Sequence, residues 1–119
     1  MQNRRRKVRI PIATIAHITP HGLQRGSEVM VRDLSTEGMG CYVDHACQKG
    51  DMMLVKIKLD LPGKNSGVLQ ATLMGQIIWV KLLDEEKKYA VGLEFRDMES
   101  RHPELHAHLK DLETQNTSN

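Results

Sequence analysis

The stretch Leu54-Val-Lys-Ile-Lys-Leu-Asp-Leu61 alternates apolar and charged side chains. Successive side chains of an extended chain point to opposite faces, so the apolar residues from Val55 to Leu61 share one face and the charged residues share the other. This pattern predicts a β-strand with one buried face and one face in water.

Five further segments on either side of this stretch also carry strand signals. They are rich in β-branched residues and lie between clusters of turn-forming residues. The segments cover residues 10–18, 28–32, 39–43, 68–80 and 89–95. Gly75, inside the longest of them, predicts a β-bulge or a bend of the strand.

The apolar residues change their period after the last of these segments. Leu105, Leu109 and Leu112 recur at the spacing of one helix face, and Pro103 suits the first turn of a helix. We expect one amphipathic helix there. Its leucine stripe packs either on its own barrel or on another subunit, and the sequence leaves both arrangements open.

Together these signals predict an all-β fold with one added helix. Six short strands without intervening helices favour antiparallel pairing, and a small all-β domain avoids exposed strand edges most completely by closing into a barrel. We therefore expect a six-stranded antiparallel β-barrel with a C-terminal α-helix. The expected boundaries are a flexible arginine-rich arm at residues 1–9, the barrel with its helix at 10–113 and a disordered polar tail at 114–119.

Size and composition narrow the class of protein further. The 119 residues have room for one compact domain, and no apolar run approaches the roughly 18 residues of a membrane helix. We expect a cytoplasmic protein without membrane insertion, either a monomer or a weak homodimer. Cys41 and Cys47 match neither a Cys-x-x-Cys motif nor half of a zinc site, so we expect free thiols, with Cys41 packed in a strand.

The positive charge of the chain is concentrated near its N-terminus. The formal net charge is only +2, but five cations fall within six residues: Arg4, Arg5, Arg6, Lys7 and Arg9. Such local charge favours a small anionic partner over a long nucleic acid. One Trp, two Tyr and one Phe are also too few for the stacking surfaces of single-strand binders, so we expect no nucleic-acid partner.

Two short motifs carry a resemblance to a known family. Arg5 and Arg9 fit an Arg-x-x-x-Arg element, and Asp33, Ser35 and Gly38 fit an Asp-x-Ser-x-x-Gly element. In this order and at this separation they resemble the signature of the PilZ domain family, and residues 75–80 and 91–95 resemble its late barrel strands. The resemblance spans nearly the whole chain. It implies a six-stranded barrel whose N-terminal arm closes over cyclic diguanylate (cyclic di-GMP).

The resemblance also implies roles for the motif residues. Arg5 and Arg9 would contact guanine and phosphate, because a guanidinium fork can bind guanine O6 and N7 or a phosphate group. Asp33 would accept hydrogen bonds from guanine N1–H and N2–H2, and the Ser35 hydroxyl would donate to a phosphate. Gly38 would allow a turn with positive φ or a close approach of the ligand. Additional candidate contacts are Arg6, Gly40 and Trp79, although the barrel core is the favoured position for Trp79.

The residue before the first motif arginine bears on stoichiometry. Arg4 occupies that position. In the family an arginine there favours a stacked pair of ligand molecules over a single one. The resemblance therefore implies two nucleotides for each protomer.

The function implied is that of a bacterial receptor without a cofactor or a catalytic site. It would signal to an unidentified protein in the control of motility, surface polysaccharide or virulence. No recognisable motif places a base near Ser35 or Cys41, and His108 would project about 200° around a helix from His106, away from a common metal. Two alternatives remain: a PilZ-like adaptor that binds no nucleotide, and a small nucleic-acid-binding barrel.

Overall fold

The computed structural model describes residues 10–44, 47–61, 67–83 and 88–117. Within them the chain forms six strands followed by two helices. The elements are β1 (Ile10–Pro20), β2 (Ser27–Leu34), β3 (Gly38–Val43), β4 (Met52–Leu61), β5 (Gly67–Leu82), β6 (Tyr89–Phe95), α1 (Met98–Arg101) and α2 (Pro103–Thr117). Every predicted strand is present, and none extends more than two residues beyond its predicted ends.

The strands form a closed barrel in the order β1-β2-β3-β6-β5-β4. All six neighbouring pairs are antiparallel, including the β1–β4 pair that closes the sheet. The β4–β5 ladder runs without a shift from Met52↔Gln76 to Leu61↔Gly67. Each of the six strands pairs with a neighbour on both sides, which confirms the predicted six-stranded antiparallel barrel.

One apolar cluster fills the barrel and extends under the C-terminal helix. The alternation predicted for β4 is confirmed, since Val55, Ile57 and Leu59 are buried while the charged residues between them are exposed. Leu105 and Leu109 of α2 belong to the same cluster. The leucine stripe therefore packs on its own barrel, which decides between the two arrangements that the sequence left open.

The C-terminal helix begins at Pro103, as predicted, and ends at Thr117. Helix is thus present in part of the range for which a disordered tail was expected, and Ser118 and Asn119 lie outside the described residues. The predicted arm at residues 1–9 also lies outside them. No helix of the described ranges is long and apolar enough to cross a membrane.

Gly75 is a regular strand position, so the bulge predicted there is wrong. It pairs in register with Met53 on one side and with Phe95 on the other. The irregularity of β5 lies three residues later, at Ile78 between Ile77 and Trp79. Its position matters for the site on the outer face of the barrel.

Candidate functional site

Four residues form a row across neighbouring strands. Asp33 of β2 pairs with Gly40 of β3, Gly40 pairs with Gly92 of β6, and Gly92 pairs with Trp79 of β5. Directly opposite residues of neighbouring strands share one face of a sheet. The row therefore places a carboxylate and an indole on either side of two positions that carry no side chain.

This row lies on the outer face of the barrel. Met39 and Cys41, on either side of Gly40, are buried in the core at 0% and 1% exposure. Side chains alternate along a strand, so Gly40 faces outward. The residues flanking Gly92 are buried in the same way, which puts the whole row outside the core.

A β-bulge brings Asp33 to this face. The register of β2 against β3 shifts between Val31 and Asp33, so Arg32 is an extra residue without a position of its own in the ladder. Regular alternation from the buried Val31 would have put Asp33 inside the barrel. The bulge reverses the phase, so that Leu34 is buried instead and Asp33 faces outward.

A second bulge does the same for Trp79. Leu73 and Ile77 of β5 point into the core, and regular alternation would have placed Trp79 there too. Ile78 is the extra residue, and it turns Trp79 outward, opposite Gly92. The interpretation of Trp79 as barrel core is therefore wrong: its side chain is half-buried on the outer face, and a Cβ at residue 92 would collide with its indole ring.

Asp33 already has partners in this structure. Its Oδ1 accepts a hydrogen bond from the Gly40 backbone N–H at 3.0 Å, and its Oδ2 accepts one from Arg32 Nε at 2.8 Å. The Arg32 guanidinium carbon also lies 5.6 Å from the centroid of the Trp79 ring. Asp33 and Trp79 are thus connected through one guanidinium group.

Sequence reasoning missed Arg32. A residue next to Asp33 in a regular strand would point to the opposite face, and only the bulge allows both side chains to reach the same groove. The hydrogen bond to Asp33 raises the pKa of Arg32 above its ordinary value, against the opposing effect of burial. Tyr42 contributes in the same direction. The guanidinium is therefore charged at neutral pH.

Ser35 shapes the turn between β2 and β3. Its hydroxyl oxygen accepts hydrogen bonds from the backbone N–H groups of Glu37 and Gly38, both at 3.1 Å, and its own N–H donates to the Gly38 carbonyl at 2.8 Å. The side chain is 1% exposed. This is the hydrogen-bonded turn that serine residues commonly form.

Of the two roles predicted for Gly38, a positive φ and a close approach of the ligand, the structure contradicts the first, and the second stays a prediction. Among the described glycines only Gly22 and Gly50 have positive φ, so the prediction of positive φ at Gly38 is wrong. A Cβ at Gly38 would collide with the carbonyl oxygen of Leu93 in β6. The close approach that excludes a side chain here is therefore made by a neighbouring strand.

Thr36 follows Ser35 in the turn, and its hydroxyl group differs from that of Ser35 in its hydrogen bonding. Thr36 is 7% exposed, and its Oγ1 has no hydrogen-bond partner among the described residues. The turn is nevertheless held against the barrel, because the Phe95 N–H donates to the Glu37 carbonyl at 2.8 Å. Nothing in the sequence indicates that this hydroxyl is buried.

Four predicted ligand residues lie outside the described residues, namely Arg4, Arg5, Arg6 and Arg9. The structure does show where their segment joins the barrel. Ile10 begins β1 opposite Leu34, the residue between Asp33 and Ser35. The chain that carries the arginines is therefore covalently attached beside the motif turn, and the contacts of those arginines stay predictions.

The described histidine, cysteine and acidic residues bear on metal binding and on thiol chemistry. No group of three or more His, Cys, Asp or Glu side chains there is placed to hold a metal ion. Neither Cys41 nor Cys47 forms a disulfide within the described residues, and Cys41 lies in β3 within the core, as predicted. Burial raises the pKa of Cys41 to about 12, so its thiol stays protonated at neutral pH.

Three solved structures share this fold. The Inhibitor of motility of Bacillus subtilis (MotI/DgrA) has a TM-score of 0.74 at 16% identity, with 99% of this chain and 55% of that one covered. The PilZ domain with c-di-GMP of YcgR from Escherichia coli has a TM-score of 0.64 at 19% identity, covering 95% and 91%. The Borreliella burgdorferi PlzA protein in complex with c-di-GMP has a TM-score of 0.63 at 16% identity, covering 93% and 41%.

These likenesses differ in how much of each protein they include. The chain spans about half the length of MotI and less than half of PlzA, but nearly all of the YcgR domain. No curated protein matches the sequence. A family model does: the PilZ domain matches residues 3–113, which include both motifs, all six strands and most of the C-terminal helix. The chain therefore belongs to the PilZ domain family.

Proposed function

We propose that this chain is a receptor for cyclic di-GMP and that the outer groove between Asp33 and Trp79 takes one guanine of the ligand. The observation that supports this most strongly is the row Asp33, Gly40, Gly92 and Trp79. It combines an outward carboxylate, a floor without side chains and an aromatic ring within one site.

Each part of the groove fits a different feature of guanine. A carboxylate has two acceptor oxygens, so it can accept hydrogen bonds from N1–H and N2–H2 at the same time. Other side chains do not offer two acceptor oxygens in this way. An indole offers its face to the base. The glycine at residue 40 leaves the backbone accessible, so a flat ring can approach it closely.

The arginine segment would supply the remaining contacts. Cyclic di-GMP carries two phosphate groups and exposes O6 and N7 on each guanine, and arginine binds both kinds of acceptor bidentately. Because β1 begins beside the motif turn, the preceding segment, which carries Arg5 and Arg9, would have the groove within reach. Two relatives of this fold, the YcgR domain and PlzA, are described with c-di-GMP bound, which supports the same ligand here.

Isothermal titration with cyclic di-GMP tests the proposal, and separate titrations with GTP and linear pGpG are the controls. We expect heat with cyclic di-GMP alone and none with Asp33→Ala or Arg9→Ala. Asp60→Ala and Arg25→Ala are matched controls, because both residues are exposed and lie outside the site. Circular dichroism and thermal melting must show that each variant is folded, since Asp33 also bonds the Gly40 backbone.

The outcomes separate the receptor from its alternatives. Submicromolar affinity in a folded Asp33→Ala or Arg9→Ala variant would count decisively against this site. Heat with all three nucleotides, or oligonucleotide binding that falls steeply with salt and tolerates Asp33→Ala, would indicate a nucleic-acid binder. A folded wild-type protein that gives no heat with any nucleotide would be an adaptor.

We also propose how many ligand molecules each protomer binds. With Arg4 before the motif arginines, we expect two nucleotides for each protomer at saturation. Arg4→Ala should reduce the number to one while the first molecule still binds. Calorimetry gives the number directly, and native mass spectrometry counts the bound molecules independently. One nucleotide at saturation of the wild-type protein would exclude a stacked pair.

We also propose how ligand binding is passed on to a protein partner. Closure of the arm over the ligand would replace one surface beside the β2–β3 turn by another, which a protein partner could distinguish. Trypsin cleaves after Arg and Lys, so saturating ligand should slow cleavage within residues 4–9. An equal cleavage rate with and without ligand would mean that the arm does not close. We further propose that the receptor is not an enzyme and acts in the cytoplasm, where Cys41 and Cys47 would stay reduced.

A further inference from the structure

Arg32 occupies the groove that the proposed function assigns to guanine. Its Nε donates to Asp33 Oδ2 at 2.8 Å, and its guanidinium carbon lies 5.6 Å from the Trp79 ring centroid. A Cβ built on Gly40 would lie 2.9 Å from Arg32 Nη2. The guanidinium group therefore lies above Gly40, between the carboxylate and the indole.

A guanidinium group and the donor edge of guanine have the same chemical form. Guanine carries N1, C2 and the exocyclic N2 as a planar N–C–N unit with N–H donors along one edge, and a guanidinium has this arrangement too. Both can donate to a carboxylate and place a flat face on an aromatic ring. Asp33, Gly40 and Trp79 are thus the partners that either group needs.

The two groups cannot use this space together. Each Asp33 oxygen can accept more than the one bond that the Gly40 N–H and Arg32 give it, so the conflict is one of space. A base that pairs with Oδ2 and stacks on Trp79 would lie where the guanidinium now lies. Nη2 also fills the volume directly above Gly40. A ligand that stacks on Trp79 and bonds Asp33 must first displace Arg32.

Displacement of Arg32 is energetically accessible. The Arg32 side chain is 39% exposed, whereas that of Asp33 is 12% exposed, so solvent screens the pair from the Arg32 side and the released guanidinium regains water. Tyr42 lies close enough to raise the pKa of Arg32, so it offers a nearby polar partner after release.

We propose that Arg32 is an internal mimic of guanine that closes the groove in the free protein and is expelled when the ligand binds. This inference rests on the proposed function. It makes Arg32 a competitor of the ligand, whereas an arginine beside an anionic ligand would ordinarily be regarded as one of its contacts. The bulge at Arg32 has a clear role in this arrangement, because it alone lets consecutive side chains face the same groove.

Calorimetry of Arg32→Ala and Arg32→Lys tests the competition. We expect Arg32→Ala to bind cyclic di-GMP about tenfold more tightly than the wild-type protein, because a weak ion pair and a cation–π contact no longer oppose the ligand. Arg32→Lys keeps the charge but loses the planar fork, so it should also bind more tightly. Arg25→Ala removes an exposed cation elsewhere and controls for the loss of charge.

The titrations should be made at about 0.3 M salt, where long-range attraction between the protein and the phosphates is strongly screened. Affinity of Arg32→Ala equal to or weaker than that of both the wild-type protein and Arg25→Ala would overturn the inference. If the wild-type protein binds normally in that experiment, the receptor proposal survives. A wild-type protein that gives no heat refutes the receptor and the competition together.

A second readout follows Trp79, the single tryptophan of the chain. In the free protein Arg32→Ala should shift the NMR resonance of the Trp79 indole N–H, and Arg25→Ala should leave it unchanged. Saturating cyclic di-GMP should move the Arg32 Nε–H resonance of the wild-type protein away from its position in the Asp33 hydrogen bond. An Arg32 Nε–H resonance that stays in place at saturation would show that the pair with Asp33 persists and would overturn the displacement.

Discussion

Adjacent hydroxyl residues in the β2–β3 turn contribute oppositely to stability. The Ser35 oxygen accepts two backbone hydrogen bonds, whereas the buried Thr36 hydroxyl has no partner in the part of the chain that the structure describes. A buried polar group that lacks a hydrogen bond loses its interaction with water and gains nothing in return. Residue 36 therefore lowers the stability of a turn that residue 35 supports.

Replacement of each hydroxyl by an apolar group should show this difference. Thr36→Val keeps the branched shape and removes the unsatisfied oxygen, so the free energy of unfolding should stay the same or rise by up to about 1 kcal/mol. Ser35→Ala strands the N–H groups of Glu37 and Gly38 and should lower it by about 1–2 kcal/mol. Urea denaturation measures both. Equal destabilisation by the two substitutions would mean that the Thr36 hydroxyl has a partner.

Gly38 and Gly75 allow a comparison of two strand glycines. A Cβ at Gly38 meets the backbone carbonyl of Leu93, while the three atoms nearest to a Cβ at Gly75 belong to side chains, the nearest being Leu93 Cδ2 at 3.3 Å. A carbonyl within the β3–β6 ladder cannot move without breaking the pairing of the strands, but a leucine side chain can adjust.

Gly38→Ala should therefore lower the free energy of unfolding by about 3 kcal/mol or more. Gly75→Ala should change it by no more than about 1 kcal/mol. Thermal or urea denaturation of both variants makes the comparison. A Gly38→Ala protein as stable as Gly75→Ala would show that the β6 backbone can shift away from the turn.

At the scale of the elements, the sequence predicts the strands, but it does not predict which side chains share the outer groove. Alternation in β4 and the turn residues between strands depend on local chemistry, which a sequence displays directly. The outward positions of Asp33 and Trp79 depend on bulges at Arg32 and Ile78. Neither bulge has a glycine at its extra residue, and both become visible only when the neighbouring strand is in place.

The same distinction holds for the motif residues. Asp33, Ser35 and Gly38 were found by their spacing, and the turn that Ser35 forms is a local structure. The reason for Gly38 lies in β6, some fifty residues further along the chain, and so does the row partner Gly92. Pairing across such a separation is set by barrel closure, which strand periodicity does not specify.

The C-terminal helix gives a test at this scale. Leu109 is 0% exposed within the core cluster, whereas Leu112 is only partly buried against it. Leu109→Ala should lower the free energy of unfolding by about 2–5 kcal/mol, and Leu112→Ala by about 1 kcal/mol or less. Chemical denaturation compares them. Similar small losses at both positions would mean that α2 docks weakly on the barrel.

For the molecule as a whole, barrel closure produces a single apolar interior that includes a thiol. Cys41 belongs to the core cluster at 1% exposure, and burial raises its pKa from the ordinary 9.0 to about 12. The unfolded chain begins to lose this proton near pH 9, while the folded protein keeps it. Between those pH values the unfolded state binds fewer protons, so the folded state loses stability as the pH rises.

Cys41→Ala should remove this contribution to the pH dependence. From pH 8.5 to 10.5 the stability of the wild-type protein relative to the variant should fall by about 2 kcal/mol, or about 1.4 kcal/mol for each pH unit above 9. Below pH 8 the difference between the two proteins should be constant. Urea denaturation at several pH values measures it, and lysine or tyrosine titration affects both proteins alike. A constant difference up to pH 10.5 would show that water reaches the Cys41 thiol and that the barrel interior is not closed around it.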